Sequence, residues 1–85
     1  MNLYAEQIRR ILKDHARLLV DVDRLDDTSD LYQAGLTSLS TVNLMLALEE
    51  HFDIEFPDHM LKRGTFESIA AIESAVTEIK EQVAI

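Results

Sequence analysis

Three segments of the sequence repeat apolar residues at the three- and four-residue spacing that is typical of amphipathic α-helices. The first is predicted to span about residues 3–19, the second residues 38–52, and the third begins after Thr65. No segment shows the apolar–polar alternation of a convincing β-strand. The stripe of the first helix comprises Tyr4, Ile8, Ile11, Leu12, His15 and Leu19, and that of the last helix comprises Phe66, Ile69, Ile72, Val76, Ile79 and Val83.

A long connection joins the first two helices. Residues 21–35 contain five aspartates and no helical period. A loop of this length in a small domain usually has a function or acts as a tether. We expect its apolar residues to hold it on the core, and these are Val22, Leu25, Leu31 and Tyr32.

The segment after the second helix predicts a short helical element. Pro57 favours extended backbone at its start, and residues 58–63 are predicted to form one short turn. Gly64 is predicted to end that turn, Thr65 to cap the last helix, and Glu67 to occupy its first turn. The predicted fold is therefore all-α, a small four-helix bundle with three long helices, one short third helix and a long loop between helices 1 and 2.

The second helix carries apolar residues on two nearly opposite sides. One stripe suffices to pack a helix against a bundle, and few elements of a short chain remain to cover a second. Either the helix is buried all round, partly by the long loop, or the second stripe is a docking surface for a partner; the pattern favours docking. The first stripe comprises Leu44, Met45, Leu48 and Phe52, and the second comprises Leu39, Val42 and Leu46.

Length and composition favour one folded domain, residues 1–85, because 47% of the residues are apolar and 28% are charged. The absence of cysteine excludes a disulfide framework, a thiolate zinc site and a cysteine nucleophile. The three histidines lack the spacing of metal ligands, so no metal site is predicted. We find neither a signal-peptide pattern nor an apolar run that could span a bilayer, and we expect a cytoplasmic monomer.

The net charge of −8 is unevenly distributed. The first 20 residues hold four basic and two acidic residues, whereas the rest holds four basic and fourteen acidic residues. Such a surface repels nucleic acid and anionic lipid, so neither is an expected partner. The acidic side chains either attract a basic docking patch on a partner or only keep the protein soluble.

Ser38 lies at the predicted start of the second helix, after Gly35, which allows a sharp turn, and Thr37, a predicted N-cap. Backbone amides and the helix dipole would stabilise a phosphate there. Ser38 could otherwise be a second capping residue. A catalytic nucleophile is disfavoured, because the local sequence is not G-x-S-x-G and His51 and His59 lie more than a dozen residues away.

The segment "DLYQAGLTSLSTVNLMLALEEHFDIEFPD" resembles the phosphopantetheine-attachment region of acyl carrier proteins. Its specific part is Gly-Leu-x-Ser-Leu, followed at the family's spacing by an apolar helix with acidic residues and by Phe-x-Ile-x-Phe-Pro. The resemblance extends over nearly the whole chain. The matching positions are Asp30, Gly35, Leu36, Ser38, Leu39, Val42, Leu44, Leu48, Glu49, Glu50, Phe52, Ile54, Phe56 and Pro57.

This resemblance implies that a phosphopantetheinyl transferase attaches the 4′-phosphopantetheine arm of coenzyme A to Ser38. The thiol of the arm would carry an acyl or aminoacyl group as a thioester, and the carrier itself would catalyse nothing. Implied partners are a loading ligase and a downstream acyltransferase. The resemblance also implies a recognition surface formed by Gly35, Leu36, Thr37, Leu39, Val42, Asn43, Leu46, Glu49 and Glu50.

The sequence departs from fatty-acid-synthesis carriers at the start of the second helix. Thr37, Ser40 and Asn43 stand where those proteins usually have acidic residues. This favours a specialised, discrete carrier, and the sequence is similar to those loaded by amino acid:carrier-protein ligases. Carriers for polyketides, modified lipids or nonribosomal peptides remain open, as does an adaptor that docks through the second helix without a prosthetic group.

Overall fold

The computed structural model describes residues 4–83, which form three α-helices and no β-strand. The helices span Ala5–His15 (α1), Ser38–Phe52 (α2) and Ile69–Val83 (α3). The all-α bundle is therefore confirmed, and α2 has the predicted bounds. Short 3-10 turns replace the predicted short third helix.

Helix α1 ends earlier than the sequence predicts. Its last residue is His15, and Arg17 adopts a left-handed backbone conformation with φ of 49°, which interrupts the helical path. As a result, the prediction that His15 and Leu19 pack on the core is wrong: both are exposed, Leu19 to 87%. The predicted start at Leu3 lies outside the described residues.

Three α-helices and the long loop share one hydrophobic core. Helix α1 contacts both α2 and α3, and the loop adds the buried side chains of Val22 and Leu31. Burial of each large apolar side chain stabilises the fold by about 1.5–3 kcal/mol. The largest fully buried side chains are Ile8, Leu12, Leu31, Leu44, Leu48, Ile69, Ile72 and Val76.

Two ion pairs bind the long loop to α1. Arg9 forms one with Asp27 at 2.8 Å and also donates a hydrogen bond to the carbonyl of Val22 at 2.8 Å. Lys13 forms the other with Asp23 at 2.6 Å, and this hydrogen bond raises the pKa of the Lys13 ammonium. Both contacts hold the first half of the loop, including the 3-10 turn Val22–Arg24, against α1.

Backbone hydrogen bonds join the same loop to the region around the start of α3. The amide of Ala70 donates to the carbonyl of Asp27 at 2.8 Å, and the amide of Leu31 donates to the carbonyl of Glu67 at 2.7 Å. The loop is therefore attached to two helical regions rather than being a slack tether. Its end, just before α2 begins, is anchored by the buried side chains of Leu31, Ala34 and Leu36.

The connection from α2 to α3 differs from the prediction. It contains two 3-10 turns, Asp58–Met60 and Arg63–Phe66, so that Gly64 lies within a turn instead of ending one.

Helix α3 also begins later than predicted. Thr65 is buried, and Ser68 caps α3 because its hydroxyl accepts a hydrogen bond from the amide of Ala71 at 3.0 Å. Glu67 consequently precedes α3 instead of occupying its first turn.

Candidate functional site

Four hydroxyl side chains surround the start of α2, and three of them are used in local hydrogen bonds. Thr37 and Ser40 form a reciprocal capping box: the Thr37 hydroxyl accepts from the Ser40 amide at 3.1 Å, and the Ser40 hydroxyl accepts from the Thr37 amide at 2.9 Å. The Thr41 hydroxyl donates to the Thr37 carbonyl at 2.6 Å. Thr37 is thus the N-cap that the sequence predicts.

Ser38 differs from these three residues. Its side chain is exposed, and its hydroxyl forms no hydrogen bond with any residue in the range 4–83. It occupies the first position of α2, where backbone amides lack helical acceptors and the helix dipole favours an anion. Its oxygen is therefore free to be modified without loss of a cap.

The turn before α2 depends on Gly35. Its φ of 114° belongs to a region that other residues rarely adopt, and a Cβ there would lie 2.8 Å from Cγ of Leu19 and 2.9 Å from its amide nitrogen. The amide of Leu19 donates to the carbonyl of Ala34 at 2.8 Å, and this hydrogen bond holds the backbone of Leu19 close to Gly35. The turn is therefore specific to glycine, and it sets the position of Ser38 three residues later.

The two apolar stripes of α2 have opposite environments. Leu44 and Leu48 are completely buried, whereas Leu39, Val42 and Leu46 are 74%, 49% and 54% exposed. The alternative in which α2 is buried all round is therefore wrong. The outer stripe, meaning Leu39, Val42 and Leu46, is an exposed apolar surface that begins beside Ser38.

The other residues predicted for partner recognition differ in their exposure to solvent. Thr37, Asn43 and Glu50 are exposed next to the outer stripe. Leu36 is only 5% exposed, so its side chain belongs to the core and its assignment to a partner surface is corrected. Gly35 is half-buried against Leu19, as described above.

Glu49 has a structural contact that the sequence does not reveal. Its side chain is half-buried, and Oε2 accepts a hydrogen bond from the amide of Phe56 at 2.9 Å. This bond ties the end of α2 to the extended segment before Pro57. Glu49 therefore has a structural role in addition to any contact with a partner.

A cavity of about 400 Å³ opens beside Ser38, between α2 and the segment that precedes α3. Sequence analysis did not predict it, because its far wall comes from residues 61–66, which only the tertiary fold places opposite α2. Its lining is mainly apolar and includes two cations. The lining residues are Tyr32, Ser38, Thr41, Val42, Met45, Leu61, Lys62, Arg63 and Phe66.

Other kinds of site receive no support from the described residues. No group of three or more histidine, aspartate and glutamate side chains within residues 4–83 could hold a metal ion. Over the same residues, every helix is too short or too polar to cross a bilayer.

Comparisons with known proteins identify the family of the chain. A family model described as a phosphopantetheine attachment site matches residues 6–76. An aminoacyl carrier protein of Agrobacterium fabrum is 54% identical over 69 residues, which cover 81% of this chain and 83% of that protein.

Solved structures give the same result. One is a crystal structure of an engineered Bradyrhizobium japonicum glycine:[carrier protein] ligase complexed with a carrier protein from Agrobacterium tumefaciens and ATP. It contains a chain that is 51% identical to this one, with a TM-score of 0.85, and the match covers 88% of this chain and 97% of that chain. A holo acyl carrier protein from Nitrosomonas europaea is 30% identical, with a TM-score of 0.77 and 94% and 98% coverage. The chain therefore belongs to the phosphopantetheine-attachment family of carrier proteins, which hold their cargo on a covalent 4′-phosphopantetheine group and are not enzymes.

Proposed function

We propose that Ser38 bears the 4′-phosphopantetheine group and that the protein is a discrete aminoacyl carrier loaded by an amino acid:carrier-protein ligase. The observation that carries this assignment is the free hydroxyl of Ser38. Its neighbours Thr37, Ser40 and Thr41 all use their hydroxyls to hold the start of α2. Only Ser38, within this group, combines exposure with an oxygen that has no hydrogen bond to a described residue.

The residues around Ser38 fit such a group. The phosphodiester would lie at the N-terminus of α2, where unpaired amides and the helix dipole stabilise negative charge. The cavity beside Ser38 offers an apolar wall for the aliphatic part of the arm. When attached, the arm supplies the thiol that the chain lacks, since the sequence has no cysteine.

The outer stripe supports the part of the proposal that concerns partners. Leu39 and Val42 lie within one turn of Ser38, and Leu46 continues the same exposed side. A phosphopantetheinyl transferase, a ligase and an acceptor acyltransferase must each reach Ser38 or its arm, and this apolar side is the surface next to it. The relative from Agrobacterium fabrum is named an aminoacyl carrier protein, which supports an amino acid as cargo. We also infer that the protein acts in the cytoplasm, which suits a chain without cysteine.

Intact-mass analysis tests the attachment. Incubation with coenzyme A and a broad-specificity phosphopantetheinyl transferase should add about 340 Da, the mass of the arm. Ser38→Ala should block the addition, and the matched control Ser40→Ala should retain it. Addition to Ser38→Ala, or none to the wild type, would contradict the proposal.

A second reaction tests the loading step. The modified protein, glycine, ATP and a glycine:[carrier protein] ligase should give a further mass increase of about 57 Da that hydroxylamine removes, because a thioester is cleaved by this nucleophile. Protein without the arm should gain no glycine. Efficient attachment of the arm without loading by any amino acid:carrier-protein ligase would favour a carrier of another acyl class. Normal partner binding by Ser38→Ala in cells would favour the adaptor.

A further inference from the structure

Arg63 is a cation at the cavity beside Ser38 that lacks an acidic partner. Its guanidinium carbon lies 3.8 Å from the centre of the Tyr32 ring, which is a cation–π contact. Arg63 forms no ion pair or side-chain hydrogen bond with a residue in the range 4–83. By contrast, Arg9 and Lys13 are each paired with an aspartate.

The position of Arg63 is unusual for a protein of net charge −8. Acidic residues outnumber basic ones by two to one, yet the cavity lining contains Lys62 and Arg63 and no carboxylate. Because Tyr32 holds the guanidinium plane, less side-chain freedom is lost when an anion binds. The arrangement predicts that an anion lies in or beside this cavity.

The remaining lining residues indicate what is attached to that anion. Val42, Met45, Leu61 and Phe66 give the cavity a mainly apolar wall, and Ser38 lies at its edge. A ligand that fits is an anion joined directly to a short branched aliphatic group and tethered at Ser38. A phosphodiester on Ser38 followed by the geminal dimethyl group of pantoic acid has this composition. Guanidinium groups bind phosphate oxygens through two parallel hydrogen bonds.

We propose that Arg63, held by Tyr32, is a positioning residue that binds the phosphodiester on Ser38, and that the cavity holds the pantoyl part of the arm. This inference rests on the proposed function, because it requires Ser38 to be modified. The arm then has a resting position against the protein, between α2 and residues 61–66, while its thiol end projects away.

The test compares holo proteins by NMR, with the arm labelled with ¹³C at the geminal methyl groups. The wild type should show nuclear Overhauser effects from these methyls to the side chains of Met45 and Val42, and a ³¹P shift that differs from that of the same holo protein unfolded in urea, in which the phosphodiester is intact but the site is lost. Arg63→Gln and Tyr32→Leu should lower the ratio of bound to free arm by about threefold to tenfold. Arg63→Lys should recover part of the effect.

Arg24→Gln is the matched control, since it removes an equal charge from an exposed site outside the cavity. It should behave as the wild type. Intact mass, measured first, confirms that each variant carries the arm, and thermal unfolding confirms that each is folded. Absence of the contacts in a fully modified wild type, or their full persistence in Arg63→Gln, would overturn this inference alone. Failure of the wild type to accept the arm would overturn the proposed function as well.

Discussion

The two sides of α2 carry the same kinds of residue in opposite environments. Leu44 and Leu48 are completely buried against the bundle, whereas Leu39 and Leu46 are 74% and 54% exposed on the same helix. Stability accounts for the first pair, because burial of such side chains drives folding. It does not account for the second, since a helix on a bundle surface normally presents polar residues there. The difference is the basis for the proposal that the outer side contacts other proteins.

The largest effect should come from truncating the buried side. Leu48→Ala should lower the free energy of unfolding by about 2–5 kcal/mol, because it leaves a cavity in the core. Leu46→Ala should change it by less than about 0.5 kcal/mol, since more than half of the Leu46 surface is already exposed. Urea denaturation of both variants provides the measurement. Equal destabilisation by the two would mean that the outer stripe is structurally buried after all.

The next effect should be on binding rather than stability. Leu39→Asp places a charge on the proposed contact surface, next to Ser38, and should weaken binding to an amino acid:carrier-protein ligase by about 10- to 100-fold, because that charge must lose its hydration when the partner docks. Asp58→Asn, an exposed change away from α2, is the control. Titration calorimetry measures the affinity, and circular dichroism should show unchanged helix content. Unaltered affinity would remove the outer stripe from the docking surface.

A smaller contrast is expected among the hydroxyls that precede the outer stripe. Thr37→Ala should lower the free energy of unfolding by about 1 kcal/mol, because it removes the side chain that caps α2. Ser38→Ala should leave the free energy of unfolding almost unchanged, since the Ser38 hydroxyl forms no hydrogen bond with a described residue. Thermal unfolding of the two variants, with the unmodified protein as reference, measures this difference. A marked destabilisation by Ser38→Ala would assign Ser38 a capping role instead.

The bounds of α2 could be predicted because their causes are local. Thr37 and Ser40 cap the helix within four residues, and Gly35 sets the turn before it. The end of α1 was mispredicted because the apolar pattern continues to Leu19, whereas the left-handed conformation of Arg17 turns the chain away from the core.

The start of α3 was mispredicted for a similar reason. Thr65 and Ser68 are both plausible caps, and the burial of Thr65 in a 3-10 turn leaves the role to Ser68. Sequence periodicity carries no signal for that burial.

Some features of the candidate site could likewise be predicted from the sequence, whereas others could not. Ser38 and the outer stripe follow from a short motif and from helical periodicity, both of which are visible along the chain. The burial of Leu36 and the cavity wall at residues 61–66 depend on how distant segments meet. The contact of Arg63 with Tyr32 joins residues 31 positions apart, so no local pattern could reveal it.

The most direct test of the account is to locate the arm within the modified protein. Trypsin, which cleaves after lysine and arginine, should release residues 25–62 as one peptide that holds Ser29, Ser38 and Ser40. Fragmentation of this peptide by electron transfer should place the phosphopantetheine on Ser38 in every modified molecule. Its attachment to Ser29, Ser40 or any other residue would contradict the claim that Ser38 is the oxygen left free for the arm.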